Sequence, residues 1–179
     1  RPAVVLFAAS WGGRLRTALS LDGDWLPAVL RQAHDKLMQI RASSPMHTDA
    51  GGLVIATDQD SARAYAALLK KISGEAPTIV LSDEKAASRK IAAFTANDKR
   101  WMVAVRMVSE GVDVPRLAVG VYATTTSTPL FFAQAVGRFV RARKRGETAS
   151  VFLPSVPTLL GFASEMEIER DHALGRKVT

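Results

Sequence analysis

Hydrophobic and polar residues alternate along this chain in two distinct rhythms. Short apolar runs, Val4 to Ala8, Leu53-Val54-Ile55-Ala56, Thr78 to Leu81, Trp101 to Val105, Leu117 to Tyr122 and Val151-Phe152-Leu153, read as strands buried on both faces. Between them the apolar positions fall at helical spacing. Leu26, Val29, Leu30, Ala33, Leu37 and Ile40 form one stripe, with Asp22 as a plausible cap before it and Ser43-Ser44-Pro45 as its end. Tyr65, Leu68, Leu69 and Ile72 form a second stripe that stops at Ser73-Gly74, and Ala87, Ile91 and Phe94 a third, capped by Ser82 or Asp83. A further helix is expected from about Pro129 to Arg143 and a closing one from about Thr158 to Leu174, with a polar loop up to Gly52. Strands alternating with helices predict an α/β fold: a three-layer, mainly parallel sheet with helices on both faces. In such folds the working residues gather at the carboxyl ends of the strands.

Composition narrows the class. The 179 residues are 47% hydrophobic, enough to bury a sizeable core in one domain. There are 24 Lys and Arg against 17 Asp and Glu, a net charge of +7, which suits a polyanionic partner as well as an ordinary basic surface. The absence of cysteine excludes disulfides and thiolate zinc sites, and His34, His47 and His172 lie too far apart in sequence for a ligand motif, so no metal site is expected within the chain. No apolar run approaches the roughly 20 residues needed to span a bilayer. The apolar N-terminus lacks a signal-peptide layout, so a cytoplasmic origin is the default expectation. Because the sequence opens on Arg1, it reads as a fragment of a larger protein.

Two segments carry candidate chemistry. In the stretch Thr128 to Arg141, Thr128 suits an N-cap and Pro129 a first helical position. Gln134, Arg138 and Arg141 then fall at i, i+4 and i+7, on one face, while Phe132, Val136, Phe139 and Val140 face the other way, towards the sheet. Gly137 flanks the polar stripe. A mid-helix glycine costs about 1 kcal/mol relative to alanine, so it implies the close approach of another group. Two guanidinium groups on a rigid face suit a phosphate gaining charge in a transition state; a solvated basic helix is the plainer alternative. Earlier, the strand at Val103-Ala104-Val105 runs on through Arg106 to Gly111, Asp113 and Pro115. There the glycine permits close backbone approach and Asp113 can accept from a sugar hydroxyl; an ordinary Gly-Asp-Pro turn is the plainer reading.

In this order and about 20 residues apart, the two segments resemble motifs V and VI of superfamily 2 helicases of the DEAD/DEAH type. Gly111 and Asp113 match Gly-x-Asp of motif V. Gln134, Gly137, Arg138 and Arg141 match Gln-x-x-Gly-Arg-x-x-Arg of motif VI. Leu53 to Thr57 followed by a helix resembles motif IV. The resemblance spans about Gly52 to Pro154 and implies the C-terminal, second RecA-like domain, over residues 46–179. Residues 1–45 would be a linker strand and helix leading into it. It further implies that Arg138 and Arg141 act as arginine fingers on ATP and Mg2+ held mainly by an N-terminal RecA-like domain of the same protein. Gln134, Gly137, Gly111 and Asp113 would line the nucleotide. Thr57, Ser82 and Arg106, at strand ends, would contact the nucleic-acid backbone.

Departures from the family pattern qualify this picture. Val105 stands where motif V often has a threonine for phosphate, and motif VI opens on Gln134 rather than histidine, with Ala135 for a frequent arginine. These departures lean away from DEAD-box RNA helicases and towards DNA-acting relatives. No Gly-x-x-x-x-Gly-Lys-Ser/Thr loop and no Asp-Glu-x-His or Asp-Glu-Ala-Asp motif occurs, so this chain alone is expected not to hydrolyse ATP. A non-catalytic nucleic-acid-binding or scaffold module with the same fold is the alternative reading. A small-molecule α/β enzyme such as a nucleotide-sugar transferase lacks a recognisable acid/base pair or glycine fingerprint.

Overall fold

In a computed structural model, residues 4–9, 25–81, 85–105, 113–124, 128–142, 148–154, 159–162 and 164 are described. Six strands, β1 (Val4–Ala9), β2 (Gly51–Ala56), β3 (Thr78–Val80), β4 (Trp101–Val105), β5 (Leu117–Ala123) and β6 (Ala149–Pro154), form one sheet in the order β1-β6-β5-β2-β4-β3. Every pairing is parallel. This is the all-parallel three-layer architecture expected from the fully apolar runs: β2, β4 and β5 are buried at every position.

The helices are α1 (Trp25–Ser43), α2 (Gln59–Ser73), α3 (Lys85–Ala96) and α4 (Pro129–Ala142). The helices α1, α2 and α3 pack the stripes read from the sequence against the core, and of the stripe on α4 the described Val136 is buried. On α1 that stripe is Leu26, Val29, Leu30, Ala33 and Leu37, with Ile40 packed at its margin. Asp58 caps α2, its carboxylate accepting from the Ser61 N–H at 2.8 Å, and α2 ends at Gly74, whose φ of 77° is the left-handed conformation that favours glycine. Residues 159–162 and 164 are helical, where the closing helix was expected to begin; residues 158, 163 and 165–174, with Asp22, Ser82 and Asp83, lie outside the described residues.

Two details depart from the sequence reading. The polar stretch after α1 is not a loop throughout. Pro45–His47 form a 3-10 turn capped by the Ser44 hydroxyl, and Gly51 and Gly52 already belong to β2. Both glycines sit under large side chains. A Cβ on Gly52 would lie 2.3 Å from the Trp101 ring, and one on Gly51 would lie 2.8 Å from Arg116 Nη1, so close packing at the start of β2 excludes a side chain there. Second, the strand within residues 1–45, read as a lead-in, is a full member of the sheet: β1 pairs with β6 from Val4↔Ala149 to Ala9↔Pro154, and Phe7 stacks on Phe152 at 4.8 Å.

Candidate functional site

Chain order and sheet order together locate a crevice. From β2 the chain crosses to the edge strand β3, returns to β4 beside β2, and then moves to β5 on the other side of β2 before reaching β6. The winding direction therefore reverses between β2 and β5, and in parallel sheets the crevice outside the carboxyl ends at such a reversal is where ligands bind. Here β2 and β5 run in register to Ala56↔Ala123. The next residue of each strand is a threonine. Thr57 is half-buried and its hydroxyl donates to that of Thr124 at 3.3 Å, while Thr124 is fully buried. Of the three residues assigned to the nucleic-acid backbone, Thr57 thus sits at the switch point; Ser82 and Arg106 lie outside the described residues. Asp58 beside Thr57 is an anion at the same edge. Its hydrogen bond from the Ser61 backbone N–H at the start of α2 holds its carboxyl below the usual carboxylate range.

The second half of the site is carried by α4. The Thr128 hydroxyl accepts from the Phe131 N–H at 3.3 Å, so the expected cap forms. Phe131 packs against Tyr122, and Ala135 and Val136 are buried. Burial raises the Tyr122 phenol pKa further above its usual value, so that hydroxyl stays protonated. Gln134 is exposed, on the side opposite Val136, and Leu130 one turn earlier is 68% exposed. Arg138 and Arg141 belong to the helix, but their side chains, with those of Phe132, Phe139 and Val140, lie outside the described residues. Gly137 departs from expectation within the lobe: among the described residues nothing lies within 4 Å of where its Cβ would sit.

Topology separates these groups. Because β5 and β6 are parallel neighbours, α4 must run back from the carboxyl edge of the sheet to the amino edge. Arg138 is ten residues from Thr128, about 15 Å along the axis at 1.5 Å per residue. Asp113 is exposed and lies four residues before the first residue of β5, also on the amino side. Gly111 lies outside the described residues. Thr57 therefore marks the carboxyl edge expected for the working residues, whereas Asp113 and the arginine-bearing end of α4 lie towards the opposite edge. Among the described residues no group of three His, Asp or Glu side chains could hold a metal ion. No described helix is long and apolar enough to cross a membrane.

Sequence reasoning missed the polar centre of the amino edge. Arg116 is 8% exposed. Its guanidinium donates to the carbonyls of Phe94 (2.7 and 3.1 Å), Asp49 (2.7 Å) and Lys99 (2.7 Å) and to Asn97 Oδ1 (3.1 Å), and it lies 4.1 Å from the Phe94 ring centroid. Nearby, Arg41 donates to the Ala50 and Asp98 carbonyls, and Trp101 Nε1 donates to His34 Nδ1 at 3.1 Å. Nothing in the local pattern marks Arg116 as buried. Thr124 did carry a signal, as the first of a hydroxyl-rich run to Thr128.

Comparison with known proteins places this geometry. Residues of Dbp5 from S. cerevisiae, bound to RNA and ADP BeF3, superpose with a TM-score of 0.59 at 13% identity, covering 92% of this chain and 38% of that one. The separate C-terminal domain of the DEAD-box protein Dbp5 gives 0.58, covering 92% of this chain and 82% of that one. The chain has the fold of a helicase C-terminal RecA-like domain. No family model matches the sequence. The protein Rv2917 of Mycobacterium tuberculosis is 60% identical over 161 residues, 90% of this chain. The ATP-dependent RNA helicase dbp8 of Aspergillus terreus is 25% identical over 164 residues, 84% of this chain. The chain spans about a quarter of the Rv2917 sequence and 31% of dbp8. The helicase-domain fold accounts for the single parallel sheet and for the position of α4 between β5 and β6.

Proposed function

We propose that this chain is the second motor domain of an ATP-dependent superfamily 2 helicase or translocase. The observation that carries the reading is one helix: in a helicase-type fold, α4 presents Gln134 to solvent and places Arg138 and Arg141 at i+4 and i+7 from it. An N-terminal RecA-like domain of the same protein holds ATP and Mg2+, and the two arginines reach the phosphates across the interface. Gln134, Gly137, Gly111 and Asp113 line the nucleotide, and Thr57, Ser82 and Arg106 contact the nucleic-acid backbone. Two edges of one sheet then serve two ligands: the strand on the carboxyl side, the nucleotide nearer the amino side. Closure on ATP and opening after hydrolysis move the strand.

The net charge of +7 supports a nucleic-acid partner. Among the proteins this chain is similar to, dbp8 is named an RNA helicase and the Dbp5 structure carries RNA, which gives no support to the preference for DNA inferred from Gln134 and Ala135. The test is ATP turnover by the full-length protein with single-stranded DNA, duplex DNA and RNA in turn. Nucleic acid should stimulate turnover, and Arg138→Ala or Arg141→Ala should each lower it by about 10³-fold or more. Near-normal turnover by either variant removes that arginine from the mechanism.

A further inference from the structure

The exposed side of α4 carries an apolar residue that no motif assigns. Leu130 stands in the first turn and is 68% exposed, although the same helix buries Ala135 and Val136 and packs Phe131 against Tyr122. It shares one stripe with Gln134 at i+4, Gly137 at i+7 and Arg141 at i+11. Ala133 and Gln134 beside it are exposed as well. We propose that Leu130 is an apolar anchor on which the N-terminal RecA-like domain of the same protein docks when the two lobes close on ATP. This rests on the reading above, in which that domain holds the nucleotide that the arginines of α4 reach.

The physical case starts from what a solvated helix start favours. Acidic side chains suit the first turn, because its unpaired N–H groups carry the positive end of the helix dipole. The first turn of α2 follows that rule with Asp60; the first turn of α4 has no acid and runs Pro129-Leu130-Phe131. Leu130 thus serves neither the water around it nor the core beneath it. The Thr128 hydroxyl accepts from the Phe131 N–H and fixes that turn, so Leu130 is presented from a rigid backbone and little freedom is lost on docking. A single exposed leucine is ordinary on a surface. What marks this one is its line with Gln134 and Arg141, the latter about 16 Å further along the axis at 1.5 Å per residue. A lobe broad enough to receive the arginines across this face covers Leu130 too. The chain spans 26% of Rv2917, so that relative has ample length for a further lobe. Burying Leu130 favours the closed state alone and shifts the population towards it.

The test uses the full-length protein. Binding of fluorescein-labelled single-stranded RNA and DNA is read by anisotropy with and without ADP and beryllium fluoride, turnover by phosphate release, and fold by thermal unfolding. Leu130→Ala is expected to raise the ATP concentration for half-maximal turnover roughly 3- to 10-fold, the worth of most of one buried leucine side chain. The gain in nucleic-acid affinity that the nucleotide brings falls by a similar factor, while binding without nucleotide and the unfolding midpoint hold. Leu130→Met keeps the apolar area and most of this coupling. Leu130→Asp is the sharper variant. An acid suits the start of α4, so the midpoint holds or rises, whereas a carboxylate pressed against the other lobe lowers the coupling by more than alanine does. Undiminished coupling in Leu130→Asp overturns the proposal. So does weaker nucleic-acid binding by Leu130→Ala without nucleotide, which would seat Leu130 on the strand, or a lowered midpoint, which would return it to the core. These outcomes leave the motor reading intact. A wild-type protein whose nucleic-acid binding ignores nucleotide and that turns over no ATP sinks the motor reading itself, and the proposal with it.

Discussion

At the scale of single residues, the buried cation is the most exacting commitment. Arg116 stands at the entry to β5 and ties together three stretches of chain that arrive from different directions: Asp49 before β2, Phe94 to Asn97 at the end of α3, and Lys99 before β4. Replacing it with methionine keeps bulk but strands the carbonyls of Asp49, Phe94 and Lys99. At about 1–3 kcal/mol for each polar group left without a partner, Arg116→Met should destabilise the fold by roughly 3 kcal/mol or more in urea unfolding. Arg116→Lys should recover little, because a single ammonium cannot reproduce a planar fork with several donors. A loss below about 1 kcal/mol for Arg116→Met would mean that water replaces these bonds.

His34 makes a second residue-scale prediction. Burial, reinforced by Arg100, pulls its pKa below 6.5; Arg41 acts in the same direction, and Asp35 and Glu75 oppose them. The neutral ring accepts from the Trp101 indole at Nδ1, and protonation would set N–H against N–H. The unfolded chain therefore binds a proton that the native state resists. The stabilisation is fully present above about pH 6.5 and declines as pH falls from there towards the lower native pKa. Thermal unfolding midpoints should drop less between pH 7.5 and 5.5 for His34→Gln than for the wild type, since a glutamine oxygen can accept from the indole without titrating. Equal drops would show that His34 carries none of the acid sensitivity.

At the scale of elements, the fold was legible wherever burial and period coincide. Six short runs announced the six strands. Of these, β2, β4, β5 and the described residues of β6 are buried throughout. The edge strands β1 and β3, expected to be buried on both faces, are only partly so, with Phe7 exposed and Thr78 and Ile79 half-buried, because an edge strand is covered by a neighbour on one side alone. The stripes of α1, α2 and α3 match the residues that pack. What the pattern could not give is which strands pair. The first strand reads as a lead-in because sequence distance from its partner, β6, is large, and parallel pairing of chain-distant strands leaves no local signature. Arg116 and the Gly51-Gly52 seats were hidden for the same reason, being set by groups far away in sequence. Of the residues proposed for the site, Gln134 emerges exposed, on the side of α4 opposite Val136. The division of the site between two edges required the crossover geometry.

Gly137 tests α4 as an element. Among the described residues a Cβ on Gly137 would meet nothing within 4 Å, and a mid-helix glycine weakens the helix. Gly137→Ala should therefore raise the stability of this domain by up to about 1 kcal/mol. If the vacancy is kept for a nucleotide or a neighbouring lobe, the same substitution should lower ATP turnover of the full-length protein. A stability gain with undiminished turnover would show that nothing approaches there.

At the scale of the whole molecule, the decisive feature is what the 179 residues divide between them. The sheet offers a threonine pair at one edge and an acidic residue with an arginine-bearing helix end towards the other, yet the sequence has no Gly-x-x-x-x-Gly-Lys-Ser/Thr loop and no Asp-Glu-x-His or Asp-Glu-Ala-Asp motif. Phosphoryl transfer needs the metal and the cradle as much as it needs the arginines, because the charge developing on the transferred group is shared among all of them. Arginines alone, without the metal and the cradle, hold a phosphate too weakly to lower its barrier. The isolated chain should consequently fold, melt cooperatively and show no ATP turnover above background, with or without nucleic acid. The full-length protein should turn over ATP at a rate that collapses on loss of Arg138. Turnover by the isolated chain that also disappears in Arg138→Ala would place a complete hydrolytic site within this lobe and refute the division of labour on which the motor reading depends.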